Sequence, residues 1–413
     1  MIMNKLFGDG IHDDYPAIQE MIDSGAREVI LPDPQKCYLI SKTLVLPSDF
    51  RLVLPRFAEI RLMDQANCPM IRNTWNTSRG HFSYNSYNSE INRIDLWNYS
   101  EQISTLPEDT CHDFELIGGI WNFNNKNQKP NPILSGDFDG GAYTGFGMQF
   151  FNVTNFRISS LTLKDPVNFA ITIDAASFFT VSDITFDYNS GNPAAINMDG
   201  IHINGNCHHA HLRNLMGACY DDVVALNAFE GFSGPISNIY IDGIFAENCH
   251  SAVRLLAVFE EISNIHISDI YGTYYQYCIG FTRYYETEHP TGIMKTIDIR
   301  NVYASKASRD GIYPYPDTYV YPLIYFESRL VVTDVSIDCL CRREKVIPVE
   351  TISVEKGAVI ENMRLSRIIE ENLTGKDFSF LTNYGTIQRL VQKDIRLGDN
   401  YPVDSVTEDQ MRK

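Results

Sequence analysis

The sequence lacks several features that would place it in a specialised class. No run of 18 apolar residues occurs among its 413 residues, so no transmembrane helix is expected. Basic residues are scarce, with 34 Lys and Arg against 52 Asp and Glu, which gives a formal net charge of −18. We therefore expect no nucleic-acid partner and no membrane association, because phosphate binding needs clustered Lys and Arg.

The nine cysteines form no recognisable pattern. They are scattered along the chain, with neither metal-ligand spacing nor an even disulfide framework, and this favours a reducing compartment. The segment Met1–Phe7 is too short for a signal peptide before folded sequence begins. The expectation is a cytoplasmic protein, or a secreted one if a signal has been trimmed, with no metal site and no cofactor.

A short repeated unit determines the predicted fold class. Each copy alternates apolar and polar residues with period two, as a β-strand requires, and then continues through a Gly, Asp, Asn or Ser into another apolar residue. Copies recur from residue 114 at intervals of roughly 23 to 38 residues, beginning at Phe156, Phe179, Ile239, Ile265, Ile297 and Val335. Units that pack only on their neighbours indicate a solenoid, so we predict an all-β, single-stranded parallel β-helix.

A second predicted strand in each coil carries the polar residues of interest. These strands cover residues 170–173, 200–203, 223–226, 252–255 and 278–281. Four cysteines recur near the predicted coil corners and are expected to pack as small apolar residues: Cys207, Cys219, Cys249 and Cys278.

The N-terminal segment predicts a capping helix. Asp14 is a candidate N-cap, Tyr15-Pro16 begins the helix, and Gly25 ends it. The Gly8-Asp9-Gly10, Asp13-Asp14 and Ala17-Ile18-Gln19 pattern resembles the opening of the pectate-lyase-like superfamily. That resemblance implies a right-handed β-helix whose open end is covered by the helix.

We interpret residues 1–413 as a single β-helix domain. Its predicted parts are a cap with the first coils (7–62), a long loop or lid (72–113), the main coils (114–370) and a polar C-terminal tail (371–413). Loops 122–147 and 303–322 are expected to rise beside the second strands.

Three aspartates stand out on two consecutive second strands. Asp199 lies 22 residues before Asp221, about the circumference of one coil, and Asp222 follows directly. Residues one coil apart stack at roughly 4.8 Å, so the carboxylates should crowd on one face and one should keep its proton to higher pH. Such a group can supply a general acid and a general base. The alternative interpretation is a set of turn-forming aspartates, since Asp-Gly is a common turn signal.

Four segments resemble glycoside hydrolase family 28, the polygalacturonase-like inverting hydrolases. They are Gly118-Gly119-Ile120-Trp121-Asn122, Lys164-Asp165-Pro166-Val167-Asn168-Phe169, Asn197-Met198-Asp199-Gly200 and Tyr220-Asp221-Asp222-Val223. The resemblance implies that Asp199, Asp221 and Asp222 are the catalytic carboxylates, with Asp222 the best match to the general acid.

Two hallmarks of that family are altered. Its Gly-His-Gly falls at Cys249-His250-Ser251, which keeps the histidine. Its Arg-Ile-Lys, which holds a substrate carboxylate, aligns with Gly280-Phe281-Thr282 and is missing. Arg254 one coil earlier, or Arg283, is the candidate substitute. His250 is predicted to hydrogen-bond a carboxylate or to be a satisfied corner histidine, and His202 to face the cleft.

Three functions remain open from the sequence. The first is a glycoside hydrolase that cleaves oligosaccharide or polysaccharide by Asp general acid/base catalysis, with inversion. The second is a uronate lyase or epimerase, in which Arg254 or Arg283 abstracts a proton. The third is a non-catalytic carbohydrate-binding or tail-spike-like module, and the protein could be oligomeric.

Overall fold

The computed structural model describes residues 5–74, 110–131, 144–284, 291–309 and 319–398, together with the backbone of 403–408. Most of the predicted lid 72–113 and parts of the predicted loops 122–147 and 303–322 lie outside the described residues, as does the end of the predicted tail. None of the described helices is long and apolar enough to cross a membrane.

The described residues form one α-helix, a short 3-10 helix (Asn125–Asn127) and a long series of strands. The α-helix is α1 (Tyr15–Ile22). The described strands are β1 (Glu28–Ile30), β2 (Tyr38–Ile40), β3 (Leu44–Leu46), β4 (Phe50–Val53), β5 (Glu59–Leu62), β6 (Ile71–Asn73), β7 (Cys111–Ile117), β8 (Ile120–Asn122), β9 (Met148–Ser159), β10 (Thr162–Lys164), β11 (Ile171–Asp187), β12 (Ile201–Ile203), β13 (Cys207–Met216), β14 (Asp222–Asn227), β15 (Ile236–Cys249), β16 (Ser251–Leu256), β17 (Glu261–Tyr274), β18 (Ile279–Thr282), β19 (Ile293–Lys306), β20 (Ile324–Phe326), β21 (Val331–Glu344), β22 (Ile352–Val354), β23 (Val359–Asn372), β24 (Leu381–Asn383), β25 (Thr386–Leu397) and β26 (Val403–Glu408).

Helix α1 covers the first coil, as the sequence predicts. Its apolar side chains Ala17, Ile18 and Ile22 are buried, and the helix packs against β1 and β3. Asp14 occupies the N-cap position but makes no side-chain cap bond. Its carboxylate instead accepts hydrogen bonds from the backbone N–H groups of Phe7, Gly8 and Leu39, which tie the N-terminal segment to the coil.

The strands form parallel ladders that wind into a right-handed β-helix, which confirms the predicted fold. One ladder positions the candidate site and is called the cleft ladder. It consists of β3, β6, the first residues of β9 and β11, and then β12, β14, β16, β18, β20, β22 and β24. The longest ladder runs from β1 through β4, β7, β9 and the long odd-numbered strands to β25.

The register of the cleft ladder separates core from cleft. Its inward row stacks apolar side chains at equivalent positions: Ile171, Ile201, Val224, Val253 and Ile279. All five are fully buried, and each contributes roughly 1.5–3 kcal/mol of hydrophobic stabilisation. The neighbouring outward row carries Thr172, His202, Ala225, Arg254, Gly280 and Tyr325. The four cysteines near the coil corners lie in the same core, as predicted.

The coils extend beyond residue 370, where the predicted tail begins. β25 pairs in parallel with β23 over ten register positions, and β24 continues the cleft ladder. The boundary predicted at residue 371 is therefore wrong. The repeat fades there because most side chains of β25 are only partly buried or exposed, which weakens the apolar alternation along this coil.

Candidate active site

The three aspartates lie where the chain enters the cleft ladder. Ile201 pairs with Val224, so one coil contains 23 residues at this level and Asp199 lies opposite Asp222, not Asp221. Two hydrogen bonds fix the arrangement: Asp222 N–H donates to Asp199 Oδ1 at 3.0 Å, and Gly200 N–H donates to the Asp222 carbonyl at 2.9 Å. The structure therefore brings the predicted carboxylates together, with Asp199 opposite the second residue of the Asp221–Asp222 pair.

Asp199 forms a buried pair with His202. Its Oδ2 lies 2.5 Å from His202 Nδ1, and neither side chain is exposed. Burial, followed by the nearby Asp222 carboxylate, raises the pKa of Asp199 well above its ordinary value, and burial lowers the pKa of His202 to about 4. Both pKa shifts favour the uncharged forms of the two side chains.

His202 is fully buried in this arrangement. Its ring stacks on Phe169 with centroids 3.8 Å apart, and its Nε2 lies 3.4 Å from Asn227 Nδ2. Although His202 lies on the outward row, as predicted, the covering Phe169 ring makes it a positioning residue for Asp199.

Asp222 is buried against Arg254 and Ser251. Arg254 Nε lies 2.8 Å from Asp222 Oδ2, close enough for an ion pair but off-line for a hydrogen bond. Ser251 Oγ donates to Asp222 Oδ1. Burial raises the pKa of Asp222, whereas Arg254 and the Ser251 hydrogen bond lower it. These two partners both favour the ionised carboxylate, which suits a base.

Asp221 has a different environment from its neighbour. Its side chain is 13% exposed, while those of Asp199 and Asp222 are fully buried. Its Oδ1 lies 3.4 Å from His250 Nδ1. Burial, then the carboxylates of Asp199 and Asp222, raise the pKa of Asp221 well above its ordinary value. A protonated and accessible carboxyl is what a general acid requires, so the geometry favours Asp221 over Asp222, the choice made from sequence.

His250 lies in the coil above Asp221, in line with its predicted contact to a carboxylate. Its Nδ1 is 2.9 Å from Ser251 Oγ, and its ring makes an edge contact with Tyr275. Burial, followed by the charge of Arg254, holds the pKa of His250 well below its ordinary value. A neutral imidazole therefore lies between Asp221 and the Ser251 hydroxyl, which donates a hydrogen bond to Asp222.

A fourth carboxylate, Glu230, was not predicted from the sequence. It lies in the loop after β14 and is 6% exposed. Its Oε2 is 3.5 Å from both Arg254 Nη2 and His202 Nε2, and it accepts a hydrogen bond from Asn227. The loop shows no periodicity, so the available signal was a Glu flanked by two apolar aromatics, Phe229 and Phe232.

The two arginines predicted to contact a substrate, Arg254 and Arg283, have different environments in the structure. Arg254 lies on the outward row, but Asp222 and Glu230 already neutralise it. Arg283 follows β18 and is only 5% exposed, and its backbone N–H donates to Glu327 at 2.6 Å.

A metal ion could in principle be held by Asp221, Asp222 and His250, whose ligand atoms lie within 4.8 Å of one another. The Arg254 guanidinium, 2.8 Å from Asp222, opposes a divalent cation at this position. The donor set therefore fits proton transfer better than metal binding.

The region that contains the three aspartates is similar in sequence to a known protein family. Residues 144–253 match the model of glycosyl hydrolases family 28. The resemblance predicted from the sequence is confirmed over this segment, which contains Asp199, Asp221, Asp222 and His250. No curated protein matches the sequence.

Several solved structures share the fold. A hyperthermoactive exopolygalacturonase from Thermotoga maritima superposes with a TM-score of 0.59 at 12% identity, covering 97% of this chain and 91% of that chain. An endo-xylogalacturonan hydrolase from Aspergillus tubingensis gives 0.56 at 15% identity, covering 91% and 94%. A family 28 exopolygalacturonase from Yersinia enterocolitica gives 0.55 at 12% identity, covering 92% and 76%. At these identities the likeness establishes the fold.

Proposed function

We propose that this protein is a glycoside hydrolase in which Asp221 is the general acid and Asp222 is the general base. The observation that carries the proposal is the split between two adjacent carboxylates. Asp221 lies beside other carboxylates and holds its proton, whereas Asp222 is ion-paired with Arg254. Environments that push the pKa values of two carboxyl groups apart assign the acid and the base.

The remaining residues support these roles. The Asp199–His202 pair helps to position Asp222. His202 holds Asp199 Oδ2, and Asp199 Oδ1 accepts a hydrogen bond from the backbone N–H of Asp222. His250 and Ser251 bridge the two catalytic carboxylates through a 2.9 Å contact. In the proposed reaction Asp221 protonates the glycosidic oxygen as the bond to the anomeric carbon breaks, and Asp222 takes a proton from the attacking water.

We further propose that the anomeric configuration is inverted, on the basis of the family resemblance. Oxygens of Asp221 and Asp222 lie within 4.8 Å, which is shorter than the spacing of about 6.5–9.5 Å common in inverting enzymes. The predicted diagonal placement on adjacent coils is not what brings acid and base together, since they are sequence neighbours.

A digest of a glycan panel tests the proposal. Products are separated by chromatography, and proton NMR during the first minutes follows the anomer that forms. New reducing ends from at least one glycan, lost in Asp221→Asn and Asp222→Asn, support a hydrolase. An unsaturated product that absorbs in the ultraviolet indicates a lyase instead. Binding without any product supports a carbohydrate-binding module.

A further inference from the structure

The cleft holds one buried carboxylate that the proposed reaction does not use. Glu230 contacts His202, Asn227 and Arg254, and these residues lie on three successive strands of the cleft ladder, β12, β14 and β16. These contacts hold its side chain at the site. Acid and base are already supplied by Asp221 and Asp222. Glu230 must therefore affect something other than the two proton transfers.

Its clearest effect is on Arg254. This guanidinium contacts Asp222 on one side and Glu230 on the other, at 2.8 Å and 3.5 Å. The charge of an arginine between two protein carboxylates is already compensated, so a carboxylate on the substrate would have to compete with them for the guanidinium. We propose that Glu230 is a specificity-determining residue that restricts the cleft to neutral glycosides and excludes uronates. This inference rests on the proposed function.

The outward-row position that follows Arg254 carries no cation. Gly280 follows Arg254 on the outward row, and a Cβ there would lie 2.4 Å from the Tyr277 ring, so this ring occupies the space. The Thr282 hydroxyl donates to the Leu255 carbonyl. Above Gly280, Tyr325 pairs with the Tyr277 ring at 6.1 Å between centroids. Aromatic rings suit the apolar faces of neutral sugars.

Other charged groups near the cleft are oriented elsewhere. Lys306 is fully buried, and its Nζ donates to the carbonyl oxygens of Tyr275 and Gln276. Arg309 donates to the Gln276 side chain. Glu327 accepts the backbone N–H groups at 283 and 284, which adds a further carboxylate near Tyr284. Glu230 and Glu327 therefore add carboxylates to those of the three aspartates in this part of the molecule.

Matched aryl glycosides test the inference. The 4-nitrophenyl galactoside and galacturonide, and the glucoside and glucuronide, differ only in carrying CH₂OH or a carboxylate at C5, and both anomers are used. The enzymes are wild type, Glu230→Gln and the control Glu260→Gln. Glu260 lies between β16 and β17 and is half-buried. It accepts a hydrogen bond at 3.1 Å from Ser233, which lies in the loop that contains Glu230.

Wild type should favour the neutral member of a cleaved pair by about 100-fold in kcat/KM, from repulsion between carboxylates a few ångströms apart. Glu230→Gln should cut that preference about tenfold or more, whereas Glu260→Gln should leave it unchanged. Equal cleavage of both members by wild type, preference for the uronide, or an unchanged ratio in Glu230→Gln overturns the inference and leaves hydrolysis standing.

If no pair is cleaved, hydrolysis fails on this panel and binding decides the inference separately. Calorimetric titration of wild type with free galactose and galacturonate should then show tighter binding of galactose, reversed or levelled in Glu230→Gln. Equal binding, tighter binding of galacturonate, or binding of neither sugar overturns the role of Glu230.

Discussion

Replacing Asp221 by Asn removes the proposed transferable proton while keeping the shape of the side chain. The amide can still approach His250 Nδ1, which lies 3.4 Å from Asp221 Oδ1. Loss of a general acid costs about 10²–10⁴ in rate, or roughly 3–5 kcal/mol of transition-state stabilisation. Because the carboxyl faces the neutral imidazole of His250 and its raised pKa favours the uncharged form, we expect folding to change little.

The pH profile follows from the direction of the pKa shift. Burial and the carboxylates of Asp199 and Asp222 raise the pKa of Asp221, so the acid form persists above its ordinary range. Activity should fall as the pH rises through that raised pKa, because the proton donor is lost. Asp221→Asn should lose this alkaline limb, while any acid limb due to protonation of Asp222 should remain.

The assay compares leaving groups. On 4-nitrophenyl glycosides, whose phenolate leaves with little protonation, Asp221→Asn should recover most of the lost rate, but on phenyl glycosides it should not. Asp222→Asn should be equally impaired on both, since its role is to activate water. The losses should not add in the double variant, because the two groups act as a unit. Near-full activity of Asp221→Asn on both substrates, or rescue of Asp222→Asn instead, would refute the assignment.

Three further predictions concern stability. Burial lowers the pKa of Lys306 to about 7, so between pH 7 and 10 the unfolded chain binds more protons than the folded one, and the free energy of unfolding rises with pH. Lys306→Met removes this titration. In thermal melts it should therefore stabilise the protein by about 3 kcal/mol more at pH 7 than at pH 10. Gly272→Ala would place a Cβ 1.7 Å from the Ala246 carbonyl oxygen and should lower the free energy of unfolding in urea by about 3 kcal/mol or more. Gly375→Ala, also at positive φ but with no atom within 4 Å of the added Cβ, should lower it by about 1 kcal/mol. Phe156→Ala, which empties a place in a stack of buried rings, should cost about 3–5 kcal/mol by the same assay, and a loss under 1 kcal/mol would contradict the packing argument.

The fold was predictable because successive coils of a solenoid repeat the same sequence pattern. Each inward row is a series of apolar residues at matching positions, such as Ile239, Ile265 and Ile297 on the longest ladder, and one sequence pattern therefore reports the same pairing many times. The error at residue 371 arose where that signal weakens, since few residues of β25 are buried. A coil at the end of a solenoid has one neighbour fewer, so its residues need less apolar alternation.

The site was only partly predictable, for reasons of geometry. Asp199, Asp221 and Asp222 lie on or beside strands, so their proximity followed from coil length alone. Glu230 lies in an irregular loop whose path the strand pattern does not determine. Its contact with Arg254, one coil away, depends on how that loop folds back over the cleft ladder.

A single residue of register decides which aspartate can be the acid. With 23 residues in the coil, Asp199 lies opposite Asp222 and binds its backbone N–H, and the next coil places Ser251 opposite Asp222 and therefore His250 beside Asp221. Ser251 and Arg254 of that next coil favour the anion of Asp222, while Asp221 faces a neutral imidazole and other carboxylates, which favour its acid form. Had the next coil placed Ser251 opposite Asp221, that hydroxyl would have favoured the anion of Asp221 instead. The division of labour between the two neighbours therefore follows from strand register more than from residue type.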